Sequence, residues 1–417
     1  MRDHFKKEVK TETEKLCHTP SLSKKENKHD IIVISPDCYI FNDLAKAFTD
    51  IGLNTFLINI PHIRSNNQSR SQLVSLLQHH TSELIINRNR SAYEVRDPLS
   101  EAPLEPYIKT EKIQWWWDVP NIATMIDYET EYKNQINLAF AKDILPLLPI
   151  GSQWLPAGAQ QRFCQPHFAN QLEKDKCIDI SFVGQSRVDL LKVNIINLFK
   201  MLSQLVDDSY EEAREVYHHL PNMEKTHSFL LDLQYQLVPT LQKLAYTHPK
   251  ECYYIDYILK MCITGSLRLA AVQNLTEQGF NIAVYGDEGW VQDKIIAPAY
   301  YQGSIEAEEL PNLFRHSKIN LNLNFMQVSS TINPKVLDIL ACGGIVLSDY
   351  RPEIDTLYPE QHLRPFTFHF LEELPERVAS LLDRDLSEYS MTMASHTQTH
   401  HSMQERARWI IEHFYKK

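Results

Sequence analysis

The sequence has no long hydrophobic run and no excess of positive charge. Its apolar stretches are shorter than the roughly 20 residues that cross a bilayer, so we expect no transmembrane segment. The 417 residues include 42 Lys and Arg against 53 Asp and Glu, which gives a formal net charge of −11. Nucleic-acid binding normally depends on clustered basic residues. We therefore expect no nucleic-acid partner.

Paired cysteines and a signal peptide are also missing from the sequence. The seven cysteines are scattered, and no Cys-x-x-Cys occurs. An odd number without paired spacing disfavours a disulfide framework and a structural zinc site. The first residues alternate Lys and Glu and lack the apolar core of a signal peptide. Together these absences predict a cytoplasmic protein.

Alternating apolar strands and amphipathic helices predict an α/β fold. A chain of 417 residues is too long for one ordinary core, which indicates two domains. Residues 1–29 are rich in Lys, Glu, Ser and Thr and predict a disordered leader. Residues 30–160 predict an N-terminal Rossmann-like domain. It begins with the apolar strand 30–35, and we expect its last strand at 143–150.

Residues 161–417 predict a second Rossmann-like domain, whose first strand covers 179–184. Within it, residues 186–265 are poor in Gly, and their apolar residues recur at helical spacing. This pattern predicts a helical insertion. We expect the final helix to return to the N-terminal domain through Trp409 and Phe414.

The densest motif is TINPKVLDILACGG, at residues 331–344. Asn333 suits a helix N-cap, and Pro334 suits the first helical position. The N–H groups at the start of such a helix favour an anion such as a diphosphate, and Lys335 adds a positive charge. Asp338 lies on the same face and has the oxygens to accept both hydroxyls of a ribose. The alternative is a capped core helix with a surface Lys–Asp pair.

Two glycines follow predicted strands, and an aromatic run lies within another predicted strand. Gly184 and Gly286 would allow a phosphate or a base to approach the backbone, although turn glycines are the alternative. The run at residues 115–117 is three tryptophans, which stack on sugars or fill a core. Asp118 follows at the predicted interdomain crevice. It is either a general base toward an acceptor hydroxyl or a helix N-cap.

Several of these stretches occur in the order and spacing of a known family. They are residues 179–184 (DISFVG), Arg268, and residues 284–290 (VYGDEGW), 317–322 (SKINLN), 337–344 (LDILACGG) and 401–406 (HSMQER). Over this half the chain resembles the CgeB-like, or spore-maturation-protein-like, glycosyltransferases, which are related to glycosyltransferase groups 1 and 4. The resemblance implies a GT-B fold, in which two Rossmann-like domains face each other across a cleft.

The same resemblance implies the reaction. A sugar would pass from a nucleoside-diphosphate sugar to an acceptor that the sequence does not identify, with no cofactor or bound metal. A catalytically silent nucleotide-sugar-binding or scaffold protein is the first alternative. A nucleotide-sugar epimerase or hydrolase on the same fold is the second.

The motif and the resemblance together give a candidate site. Its catalytic residues are Asp118 and Lys335, the latter for charge on the departing diphosphate. The donor-binding residues are Gly184, Arg268, Gly286, Trp290, Ser330, Thr331, Asn333, Lys335 and Asp338. Trp290 could equally be a buried core residue. The family often has Arg in place of Lys335 and Glu in place of Asp338, and many retaining relatives have Glu in place of Ser330.

Overall fold

Two parallel sheets of six strands organise the chain. The computed structural model describes residues 27–35, 39–60, 67–89, 110–118, 135–166, 168, 178–205, 222–326 and 328–415. Most of the predicted leader lies outside these ranges, as do residues 119–134, which follow Asp118. Within them, no helix is long and apolar enough to cross a membrane.

The first sheet has the strand order β2-β1-β3-β4-β5-β6, and every pair is parallel. Its strands are β1 Asn27–Ser35, β2 Thr55–Asn59, β3 His80–Arg88, β4 Glu111–Trp116, β5 Ile136–Ala139 and β6 Gln153–Trp154. Helices α1 Tyr39–Asp50 and α2 Asn67–His79 lie between the first three strands in the chain. Parallel strands need such crossovers, because a hairpin can join only antiparallel neighbours.

The second sheet has the order β12-β11-β10-β7-β8-β9 and is also parallel. Its strands are β7 Ile178–Val183, β8 Ile282–Tyr285, β9 Tyr301–Gly303, β10 Ser317–Asn322, β11 Val346–Asp349 and β12 Phe366–Phe368. The helices of this half are α3 Val188–Leu205, α4 Met223–Leu244, α5 Pro249–Glu277, α6 Gly289–Gln292, α7 Leu310–His316, α8 Pro334–Ala341, α9 Ile354–Leu357, α10 Leu374–Leu382, α11 Ser387–His400 and α12 Met403–Phe414. The predicted α/β class with two parallel sheets is confirmed.

Two predicted elements of the first domain are wrong. The expected strand at 143–150 is instead a 3-10 helix over Lys142–Leu147, because Pro146 lies inside it and cannot donate to a ladder. At the other end, residues 27–29 belong to β1 and not to a disordered leader. His29 contributes a hydrogen bond between its Nε2 and His80 Nδ1, at 2.9 Å.

The predicted insertion contains helix and no strand in its described residues, 186–205 and 222–265. Helix α3 is an ordinary crossover helix, since its Leu191 and Ile195 share a hydrophobic cluster with Ile180 of β7. Helix α5 continues past the predicted boundary at 265 and ends only at Glu277. Helix α4 packs against α5 and shares the same cluster through Leu230, so it too covers the core of the second domain.

The two domains are joined where the interdomain segment at residues 157–159 crosses the turn at residues 401–403. Ala159 N donates to His401 O at 2.7 Å, and Met403 N donates to Ala159 O at 2.9 Å. Arg406 Nε donates to Ala157 O at 3.0 Å. Helix α12 packs against α1, and Tyr415 Oη donates to Asp30 Oδ1 at 3.0 Å. The last helix thus belongs to the structure of the first domain.

Gly158→Ala tests how tight this crossing is. An added Cβ would lie 2.6 Å from Met403 N and 2.7 Å from Met403 Cα, where there is no room for it. We expect the free energy of unfolding in urea to fall by about 1–3 kcal/mol, the usual range for overpacking.

The matched control is Gly265→Ala in α5. There the Cβ would lie 3.5 Å from Leu191 Cδ1, an ordinary contact. Because alanine favours a helix interior over glycine by about 0.5–1 kcal/mol, this variant should be neutral or more stable. Equal stability of Gly158→Ala and the wild type would show that the crossing is loose.

Candidate functional site

The carboxyl ends of β7 and β8 lie side by side in the second sheet. Gly184 N donates to Tyr285 O at 2.9 Å. A Cβ on Gly286 would lie 2.2 Å from Gly184 O, so this strand contact itself requires glycine. Trp290 is fully buried, and its Nε1 donates to Gly184 O at 2.9 Å. Trp290 therefore supports the end of β7 from within the core, which was one of the two options left open.

Helix α8 begins at this same edge and is capped as the motif predicts. Asn333 Oδ1 accepts from Lys335 N at 3.0 Å. Asn333 N donates to Asn324 Oδ1 at 2.6 Å, which ties the helix start to the end of β10. Thr331 is buried, and its Oγ1 has no hydrogen-bond partner among the described residues. The first N–H groups of α8 thus lie at the carboxyl edge of the second sheet, which is the edge where α/β proteins bind ligands.

Lys335 points from α8 toward β7. Its Nζ donates to Val183 O at 2.6 Å. Burial, with a smaller contribution from the positive charge of Arg268, lowers the pKa of the ammonium to about 8. A lysine with three donors and one carbonyl partner has two N–H groups left for an anion.

Two arginines join Lys335 at this edge. Arg268, from α5, is buried and donates from Nη1 to Gln185 O at 2.9 Å, while its Nε has no partner. Burial lowers its pKa to about 10, and the charge of Arg187 acts in the same direction. Arg187 directly precedes α3 and is exposed. Arg187 was not predicted from the sequence as a site residue. Its position three residues after Gly184, beside a helix start, could have indicated it.

These three cations lack salt-bridge partners in the described part of the chain. No carboxylate lies within salt-bridge distance of Arg187, Arg268 or Lys335. Asp287 partly offsets the lowered pKa of Arg268, but its Oδ1 is engaged by Ser186 N and Oγ, at 3.2 and 2.6 Å. Converging positive side chains beside the starts of α3 and α8 favour binding of an anion with several charges.

Asp338 is engaged by the segment that joins the domains. Gln160 donates to both of its oxygens, from N at 2.8 Å and from Nε2 at 2.6 Å. Burial raises the pKa of Asp338 to about 7, although the hydrogen bonds from Gln160 oppose the shift. Binding of a ribose by Asp338 requires these bonds to open, and this role stays a prediction.

Ser330 lies in an interdomain network. Its Oγ is 2.9 Å from Asp143 Oδ1 and 2.5 Å from Glu353 Oε1. Glu353, which the sequence analysis missed, is buried and also accepts from Lys142 N at 2.6 Å and from Trp154 Nε1 at 3.1 Å. These contacts fix the loop that precedes α8 against the first domain.

On the first domain, the three tryptophans of residues 115–117 are buried core, which was one of the alternatives. Asp118 follows β4, its side chain is 47% exposed, and it forms a salt bridge with Arg88 at 3.1 Å. Burial raises the pKa of Tyr257 on α5, Asp118 raises it further and Arg187 lowers it. Asp118 and Arg187 therefore both act electrostatically on one tyrosine of α5. Whether Asp118 caps a helix concerns residues outside the described ranges.

The raised pKa of Asp338 can be measured through stability. A carboxyl with a folded-state pKa above its unfolded value of 3.8 destabilises the protein increasingly as pH rises toward about 7. The free energy of unfolding of Asp338→Asn, relative to the wild type, should therefore increase from pH 5 to 7 by roughly 1 kcal/mol per unit, then level off.

The control is Asp179→Asn. The hydrogen bond from Lys318 lowers the pKa of Asp179, so its stability contribution is complete above the unfolded value and lost only at lower pH. Its difference from the wild type should be constant between pH 5 and 8. A constant difference for Asp338→Asn as well would mean that the Gln160 bonds keep Asp338 ionised.

Known proteins resemble this chain in both sequence and fold. Residues 268–412 match a family described as Glycosyl transferase-like, and no curated protein sequence matches the chain significantly. A glycosyltransferase from Rickettsia africae ESF-5 is 11% identical, covers 94% of this chain and 98% of its own, and has a TM-score of 0.52. Sucrose-phosphate synthase from Thermosynechococcus elongatus is 11% identical, covers 93% of this chain and 98% of its own, and has a TM-score of 0.51. The chain therefore has the two-domain GT-B fold, and its residues 268–412 are similar to the Glycosyl transferase-like family.

Proposed function

We propose that this protein transfers a sugar from a nucleoside-diphosphate sugar to an acceptor. The observation that carries the proposal is the cluster of Arg187, Arg268 and Lys335. It lies at the carboxyl edge of the second sheet and has no salt-bridged carboxylate among the residues that the structure describes. The similarity of residues 268–412 to the Glycosyl transferase-like family supports it. The motif series of the second half supports a CgeB-like enzyme in particular, and the scattered cysteines support a cytoplasmic one.

The cluster fits the charge that such a reaction creates. When the bond between the anomeric carbon and the diphosphate oxygen breaks, its electron pair leaves with the diphosphate. Arg268 and Lys335 would stabilise this charge, together with the N–H groups at the start of α8. Because these fixed cations supply the electrostatic stabilisation, we propose that no bound metal is needed.

The acceptor would bind on the first domain. Asp118 is the candidate general base that accepts the proton from the attacking hydroxyl. Its side chain is held at the end of β4 by the salt bridge with Arg88. We propose that Asp338 holds the donor ribose once Gln160 has been displaced. The present engagement of Asp338 by Gln160 favours the alternative of a catalytically silent scaffold protein.

Substitution of the basic cluster tests the donor site. Calorimetric titration with a panel of nucleoside diphosphates should show that Arg268→Ala weakens binding about 10- to 100-fold, since a hydrogen bond to a charged group contributes about 1.5–3 kcal/mol. Lys335→Ala should lower turnover of the nucleotide sugar more than it lowers affinity, because its charge acts mainly on the departing diphosphate.

The control for both variants is Lys318→Ala. Lys318 lies at the opposite end of β10, where it pairs with Asp179 at 2.7 Å. The Lys318→Ala variant should bind nucleoside diphosphates and turn over the nucleotide sugar like the wild type. Binding without turnover in the wild type, with a panel of acceptors present, would identify a silent protein. Turnover without any acceptor would identify a hydrolase or an epimerase.

The pKa of Lys335 predicts a pH dependence of its own. With a pKa of about 8, the ammonium loses its proton as pH rises above that value. The wild-type affinity for a nucleoside diphosphate should therefore fall above pH 8. Lys335→Ala should lack this fall. The same fall in both proteins would assign it to another group.

A further inference from the structure

Phe325 contacts both arginines of the basic cluster. Its ring centroid lies 5.5 Å from Arg187 Cζ and 5.3 Å from Arg268 Cζ. The residue follows β10 and is partly buried. An aromatic face attracts a guanidinium within about 6 Å of its centroid. One ring thus contacts two side chains whose charges repel each other.

Arg187 depends on this ring more than Arg268 does. Arg268 is buried and is also held by Gln185 O. Arg187 is exposed, and within the described residues its side chain has no hydrogen bond or salt bridge besides the contact with Phe325. Its backbone adopts φ +53°, a region that residues other than glycine seldom occupy. Backbone strain of this kind is typical of functional sites, where surrounding contacts keep it in place.

We propose that Phe325 is a positioning residue for the diphosphate site. It holds the guanidinium of Arg187 beside that of Arg268, so that both can donate to the same diphosphate. Phe325 itself does not contact the ligand. This inference rests on the proposed function, because it assigns a role to a residue that supports the donor site.

The test compares Phe325→Leu with Phe325→Tyr. Leucine removes the aromatic face, and tyrosine keeps it. In calorimetric titrations of the full chain with inorganic pyrophosphate, we expect the Kd of Phe325→Leu to rise about 3- to 30-fold. The Kd of Phe325→Tyr should stay within about 2-fold of the wild type. Titration with a panel of nucleosides should give equal affinities for the wild type and both variants.

A double-variant cycle separates positioning from packing. If Phe325 acts through Arg187, the combined variant Arg187→Ala with Phe325→Leu should lose no more pyrophosphate affinity than Arg187→Ala by itself. Multiplying losses would show that the ring acts independently of Arg187 and would overturn the inference. Thermal unfolding of all four proteins identifies a variant whose affinity falls only because it is partly unfolded. If Phe325→Leu is such a variant, Phe325→Met, which also lacks the aromatic face, replaces it in the cycle.

The remaining outcomes distinguish failure of this inference from failure of the proposed function. Equal pyrophosphate affinity of Phe325→Leu and the wild type would overturn the inference and leave the donor site intact. A loss of nucleoside affinity in Phe325→Leu would show that the ring stacks on the base. A wild type that binds neither pyrophosphate nor any nucleoside diphosphate would overturn the proposed function together with the inference.

Discussion

The backbone pairing of Ala159 with His401 and Met403 holds the two domains in their relative positions. It joins the connection between the sheets to the turn between the last two helices. Around it, one hydrophobic cluster runs from Phe41 of the first domain to Val336 and Ile339 of α8. The orientation of α8, and therefore of Lys335, depends on this shared core.

Electrostatics at the candidate site opposes folding. Burial lowers the pKa values of both Arg268 and Lys335, and a neighbouring arginine adds to each shift: Arg187 for Arg268, and Arg268 for Lys335. Each shift means that the folded protein holds the charged form less favourably than water does. An anion bound at the proposed donor site would relieve this unfavourable energy, so part of its affinity would come from repulsion that is already present in the unliganded protein.

Local patterns predicted the parts of this structure that local physics decides. The N-cap at Asn333 and the first-turn Lys335 depend on neighbours within a few residues, and they could be read from the sequence. The strand expected at 143–150 was wrong. The apolar residues there match a strand pattern, but Pro146 cannot donate a hydrogen bond to a neighbouring strand. The partnership of Gln160 with Asp338 spans 178 positions, and no local pattern indicates it. Phe325 and Glu353 were missed for the same reason, since their roles arise only when distant elements meet. Arg187 differs, because its position shortly after Gly184 was a local signal.

The return of α12 to the first domain has a consequence for synthesis. Ala407 and Ile410 of α12 belong to the same buried cluster as Phe41, Leu44 and Phe48 of α1. While the chain leaves the ribosome, α1, which ends at Asp50, emerges long before α12, which begins at Met403. An apolar surface on α1 therefore stays open to water, and to chaperones, until α12 has been synthesised. Truncation before α12 would expose this face of the first domain.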